Sequence, residues 1–267
     1  MSPIRTHVIA AITSLIAGSP SMAAPATRQD PANAVPAQTA APALSANPNA
    51  AWFVPPFSAH YTADWRGINV GTSDLMLKTD TAPGSYHYTW TVTARGVFRL
   101  VYPNDVIQKS WFSIAGIHVR PDKYRAEDGT STATVDFDWE ASRARGETEK
   151  KPIDLKLDAG TQDIMSIQVE VMLDLRNGNL PKTFHIVDKD EIKEFLYTIE
   201  GPARIRTALG ELDTVIVSSR RPGNDRILRM WFAPSLNYVP VLAERSRGDR
   251  AEFTMKIKTL KAEPHPT

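Results

Sequence analysis

A chain of 267 residues with no cysteine, 31 basic and 30 acidic side chains and a formal charge of +1 is excluded from several classes at once. It can have no lipid-modified cysteine, disulfide framework, Cys nucleophile or thiolate metal site. It also lacks the overall field that would draw it to nucleic acid or anionic lipid.

The N-terminus carries Arg5, then an apolar run from Val8 to Gly18 broken only by small polar residues. That run falls short of the roughly 20 residues a bilayer-spanning helix needs. Ser21-Met22-Ala23 places small residues where a signal peptidase reads them, which predicts a signal peptide over 1–23, export to the periplasm, and no transmembrane segment after cleavage. Removing it takes away Arg5 and leaves equal numbers of acidic and basic groups. Residues 24–50 are Ala, Pro, Asn, Gln and Ser with almost no large apolar side chain, so they predict a disordered linker that cannot bury enough surface to offset its ordering entropy. A single β domain is expected over 51–262 and a flexible tail over 263–267. A domain of that length buries about 70% of the surface its unfolded chain exposes, enough for a core held by packing alone.

The folded region opens on strict alternation, with Phe57, Ala59, Tyr61, Ala63 and Trp65 on one face and Ser58, His60, Thr62, Asp64 and Arg66 on the other. A period of two is a strand with one buried face. Gly67 turns the chain into a second strand over 68–78, and Pro83-Gly84 marks the next reversal. Tyr86, Tyr88, Trp90 and Val92 then oppose His87, Thr89, Thr91 and Thr93, a wide apolar wall. The pattern continues over 106–114, 117–127 and 132–140, with Gly116 and Asp128-Gly129 as reversals. After a gap it resumes over 182–188, 191–200, 204–207, 213–220, 226–232, 239–246 and 250–260. Short strands and tight turns without alternating helices argue for an antiparallel meander and against Rossmann and TIM architectures.

One segment departs from this. Over 162–176, Ile164, Ile167, Gln168, Val171 and Leu175 share a helical stripe, with Met165 and Met172 beside it and Asn177-Gly178 as the stop. The fold class expected is therefore mainly β: a long antiparallel meander forming an open or flattened β-barrel, with one α-helix at about 162–176 packed on its concave side.

The second half has a recognisable order: Gln162-Asp163 opening the helix, Thr207-Ala208-Leu209-Gly210-Glu211-Leu212-Asp213-Thr214, Trp231-Phe232-Ala233-Pro234, and Tyr238-Val239-Pro240-Val241. In the first half, Trp65-Arg66-Gly67 with Gly71, Arg120-Pro121-Asp122-Lys123-Tyr124, and Val135, Phe137 and Trp139 agree. From Pro56 to Leu260 the chain resembles the exported bacterial family DUF3108, a domain of unknown function. The resemblance implies a cell-envelope β protein and carries over no catalytic residue.

No zincin, Walker, nucleophile-elbow or dinucleotide motif occurs. After Ala23 the histidines at 60, 87, 118, 185 and 265 include no local metal pair, so no cofactor or metal site is expected. His60 and His87 could meet if their strands are neighbours. Asp136, Asp138 and Glu140 share a strand face at about 7 Å spacing, a separation glycosidases use, and equally suit a solvated face meeting Arg143 and Arg145. Gln162 and Asp163 either cap the helix or form a polar site in the barrel mouth. Arg204, Arg206, Arg220, Arg221, Arg226 and Arg229 could grip anionic head groups or pair across strands with Glu200, Glu211 and Glu244. The apolar stretch 97–103, with Phe98, could plug the barrel or form an exposed lip.

These residues lead first to a periplasmic binding or carrier-like module for a lipid or other amphiphilic small molecule. Its ligand would be lined by Trp65, Tyr86, Tyr88 and Trp90, with Phe98, Gln162, Asp163, Arg206, Arg229 and Trp231 as further contacts. A structural or interaction protein docking an envelope partner is the alternative, and an enzyme acting on envelope glycan or lipid the third. A filled core with an exposed patch at 98–102 separates the second from the first.

Overall fold

The computed structural model describes residues 54–129, 131–149 and 151–262. The expected signal peptide, linker and tail lie outside the described residues. Among the described residues, fifteen strands form one sheet. The first half comprises β1 (Phe57–Trp65), β2 (Ile68–Thr79), β3 (Ser85–Ala94), a helical turn α1 (Phe98–Val101), β4 (Val106–Ala115), β5 (His118–Glu127), β6 (Thr132–Asp138), β7 (Arg143–Thr148) and β8 (Lys151–Lys156). The second half comprises β9 (Gln162–Asp163), α2 (Ser166–Asn177), β10 (Thr183–Asp188), β11 (Glu191–Thr207), β12 (Gly210–Arg220), β13 (Arg226–Ala233), β14 (Val239–Arg247) and β15 (Arg250–Ala262).

The strand order is 8-7-6-5-4-3-2-1-15-14-13-12-11-10-9. The first strand thus pairs with the last at the middle, and each half of the chain runs outward to its own end. All pairings are antiparallel except the short β9–β10 pair. This topology dictates the shape. Strands β8 and β9 stand at opposite ends of the sheet yet are joined by residues 157–161 alone. Laid flat, the two ends would be roughly 65 Å apart at about 4.8 Å per strand. Five residues reach about 20 Å. The sheet must curl until its ends approach, and β8 does come against β11. Among the described residues, backbone pairing does not close the ring.

Helix α2 lies inside the curl. Ten consecutive residues, Ser166 to Leu175, are buried, which means the helix is covered on every side. Its apolar positions Ile167, Val169, Val171, Met172, Leu173 and Leu175 join a single core with Tyr61, Leu77, Tyr88, Phe112, Phe232 and Phe253 from the sheet. Helices apolar around most of their circumference are those a fold encloses. The helix stops as its sequence predicts: Gly178 adopts φ +69°, a left-handed conformation glycine takes without steric cost, and the Asn179 N–H bonds back to the Asp174 carbonyl at 2.9 Å.

Three details differ from the pattern in the sequence. The helix begins at Ser166, because Gln162 and Asp163 first add a two-residue parallel strand beside β10. The spans 191–200 and 204–207 are one strand, β11, bent at a bulge where Gly201 takes φ +133°. Strands β7 and β8 carry few large apolar groups and give no clear alternation, so they escape a period-two search.

Replacing Ile167 by Ala would leave a cavity on an enclosed helix, and a loss of about 2–5 kcal/mol in urea unfolding is expected. A loss below the cost of an exposed substitution, about 0.5 kcal/mol, would show that α2 is not held as part of the core.

Candidate functional site

Polar groups inside the curl collect where α2 begins and where it faces β5. At the helix start the Asp163 carboxylate accepts the backbone N–H of Met165 at 2.7 Å and of Ser166 at 2.8 Å, so it caps the first free amides of α2. Its second oxygen accepts the Ser110 hydroxyl on β4 at 2.6 Å, and the Ser166 hydroxyl oxygen accepts the Asp163 N–H at 2.9 Å. Capping and a buried polar cluster, alternatives in the sequence, are here one arrangement. Burial pushes the Asp163 carboxyl up to about 6, with the hydrogen bonds from Ser110, Ser166 and Met165 acting in the opposite direction.

The second cluster arises from an incomplete strand pairing. Strand β6 pairs only with Lys123–Glu127 of β5, leaving the first half of β5 without a strand on that side. Side chains take the backbone partner's place. Gln162 donates from Nε2 to the Val119 carbonyl at 2.8 Å, the Val119 N–H donates to the Glu170 carboxylate, and Trp139 donates from Nε1 to the Pro121 carbonyl at 2.7 Å. Glu170 also meets Nδ1 of His118, the first residue of β5, at 2.8 Å. One helical turn on, Asp174 stands beside Glu170. Burial raises the Asp174 carboxyl to about 8, and the neighbouring Glu170 charge adds to the rise. Burial likewise raises Glu170, against the hydrogen bonds from Val119 and His118. Spacing along the chain could not reveal this trio. The available signal was two acidic residues, one turn apart, on a helix otherwise apolar enough to be enclosed.

The aromatic wall belongs to the core. Tyr86 stacks on Phe112 with ring centroids 5.9 Å apart, Tyr88 meets Phe57 edge-on at 6.1 Å and reaches Gln168 of α2 with its hydroxyl at 3.4 Å, and Trp90 donates to the Ser73 hydroxyl. Trp65 and Trp231 are half-buried at the rim of that core, and Arg66 lies over the Trp65 ring at 4.8 Å. The arginines pair across strands: Arg206 with Glu211 at 3.2 Å, Arg229 with Glu200 at 2.9 Å and Arg226 with Glu252 at 3.2 Å. Asp136 pairs with Lys123 at 3.1 Å and Asp138 with Arg145 at 3.5 Å on the outer surface. His60 and His87 do not meet, since β2 runs between their strands; His60 pairs with Asp74 at 2.7 Å and His87 lies 3.6 Å from Asp80.

The apolar stretch between β3 and β4 projects outward and does not plug the barrel. Turn α1 has no buried residue; Val97 is 72% exposed, Leu100 83%, and Phe98 half-buried. Beside it runs an open groove of about 790 Å³, lined among others by Arg99, Asp105, Ile107, Glu127, Glu147 and Glu149.

Residues 60–258 match the family model described as "Protein of unknown function (DUF3108)". The chain belongs to the DUF3108 family. No curated protein matches this DUF3108 chain. Among solved structures, the MucA/MucB complex of Pseudomonas aeruginosa aligns at a TM-score of 0.33 and 9% identity, covering 79% of this chain and 53% of that one. The chain thus spans about half the length of that match. A protein named as a lipoprotein from Parabacteroides distasonis gives 0.33 and 10%, covering 78% and 96%. A protein named as exported, with a YmcC-like fold, from Bacteroides fragilis gives 0.29 and 6%, covering 77% and 95%. No helix among the described residues of the DUF3108 chain is long and apolar enough to cross a membrane.

A carboxyl raised in the folded state to about 6, from about 3.9 unfolded, makes the native protein hold the extra proton between those values. Its contribution to stability therefore falls as pH rises from about 4 to 6. Asp163→Asn keeps an acceptor for both capping amides and removes the titration. Its stability relative to the parent, from urea unfolding at pH 4 and pH 7, is expected to improve across that interval by up to about 3 kcal/mol. A difference that does not change with pH would refute the buried-carboxyl assignment.

Proposed function

We propose that this DUF3108 protein is an exported interaction module of the cell envelope. It docks a segment of another envelope protein, apolar at its tip and basic along its length, against the lip formed by Val97, Leu100 and Val101. The observation that carries this reading is the contrast between interior and rim. The concave space in which a carrier would hold its ligand is occupied by α2, whose apolar side chains share one core with the aromatic residues of β3. A bound amphiphile would have to displace an enclosed helix. At the rim, by contrast, three large aliphatic residues within five positions are exposed together, an arrangement that marks contact surfaces.

The neighbouring groove supplies the charge. Asp105, Glu127, Glu147 and Glu149 outnumber Arg99 among its described lining residues, and with Asp105 paired to Arg99, Glu127 to Arg125 and Glu149 to Lys189 a small acidic excess is left, which favours a basic partner and adds to the association rate more than to affinity. Export is supported by the signal-peptide pattern of residues 1–23.

A photo-crosslinking amino acid placed at Leu100 in the intact organism is expected to give a discrete protein adduct, and the same probe at exposed Lys258 on the distant strand β15 to give none. Leu100→Asp, with a crosslinker at Val97, should abolish that adduct while unfolding within about 0.5 kcal/mol of the parent. Adducts only to lipid, or equal adducts from both positions, would overturn the docking reading.

A further inference from the structure

We propose that His118, Glu170 and Asp174 form a binding site for one divalent transition-metal cation of the zinc class. The site is separate from the docking lip and does not depend on it. Among the described residues these are the one group of three His, Asp or Glu side chains whose ligand atoms all lie within 4.8 Å of one another. Glu170 and Asp174 project from the same side of α2, one turn apart, and His118 comes from the start of β5.

An ordinary ion pair explains Glu170 and leaves Asp174 unexplained. His118 and the Val119 N–H satisfy the two Glu170 oxygens. Asp174 is only 3% exposed, and its Oδ2 has no hydrogen-bond partner among the described residues. Ionised, that oxygen would be a buried carboxylate oxygen without a donor, which is strongly unfavourable, so in the absence of a cation the group keeps a proton that a metal ion would displace. Its position makes matters worse, because it lies beside a second carboxylate and in the last turn of α2, where the helix dipole repels negative charge and attracts cations. A divalent cation between the three groups balances both carboxylates and occupies the unpartnered oxygen.

The donor set selects the ion. One imidazole nitrogen with two carboxylates suits zinc and its first-row neighbours, whereas calcium and magnesium favour oxygen throughout. Ligands about 2.1 Å from a tetrahedral ion lie roughly 3.4 Å from each other. The His118–Glu170 contact of 2.8 Å must therefore open by about half an ångström. His118 can provide that movement, since its side chain is 62% exposed at a strand end. The same exposure gives the ion a path from solvent and leaves a coordination position for water. The Val119 N–H on Glu170 fixes the carboxylate's orientation, as outer partners of metal ligands do.

The test is calorimetric titration of untagged, chelator-stripped protein with Zn²⁺, with thermal melts in parallel. The parent is expected to bind a single equivalent and to melt at a higher temperature with the ion than without it. His118→Ala and Asp174→Asn are each expected to lose at least tenfold in affinity and most of the melting shift. His118→Ala removes an exposed side chain, so it reads the site even if the helix variant folds poorly. No uptake by the parent, uptake undiminished in both variants, or Ca²⁺ bound as tightly as Zn²⁺ would each overturn the proposal.

Discussion

The five residues between β8 and β9 constrain everything else in this fold. They join the two outer ends of a fifteen-stranded sheet, and no flat or gently twisted sheet can accommodate so short a link. The sheet has to curl, and a curled sheet of this width encloses more space than its own side chains fill. The segment that enters directly after the link fills it. This is why α2 is buried on all sides, and why a chain without cysteine can still build a core from packing alone.

Much of this was legible along the chain. Period-two alternation marked β1, β3 and most of the later strands, because one face of each meets the core and the other meets water. The Asn177-Gly178 stop marked the end of α2 because only a residue tolerant of positive φ fits there. The outward lip was less legible, since Val97, Leu100 and Val101 have the composition of buried residues. Nothing local to the sequence distinguishes an apolar turn folded inward from one left at the rim. The trio of His118, Glu170 and Asp174 was not legible at all. Its members lie 52 and 56 positions apart along the chain, and they meet only because β6 stops short of the start of β5.

That shortfall also explains why polar side chains occur on an enclosed helix. A strand edge inside a protein leaves N–H and C=O groups that must be paired. With no strand on the β6 side of the first half of β5, Gln162 and Glu170 supply the donor and the acceptor that Val119 requires there. The two side chains therefore close by hydrogen bonding a seam that the backbone leaves open. Removing Gln162 leaves the Val119 carbonyl without its donor, and removing Glu170 leaves the Val119 N–H without its acceptor, so the helix and the seam are energetically a single unit.

The outer and inner features consequently have different freedoms. The turn between β3 and β4 buries none of its side chains, so Val97, Leu100 and Val101 can vary to suit a partner with little effect on the core. The seam allows less variation, because Gln162 and Glu170 each hold a backbone group of Val119 at close range. A cation held by His118 from β5 and by Glu170 and Asp174 from α2 would tie the free part of β5 to the helix. It would thereby clip the curled sheet at the place where backbone pairing is missing, a cross-link that a chain without cysteine cannot make through a disulfide.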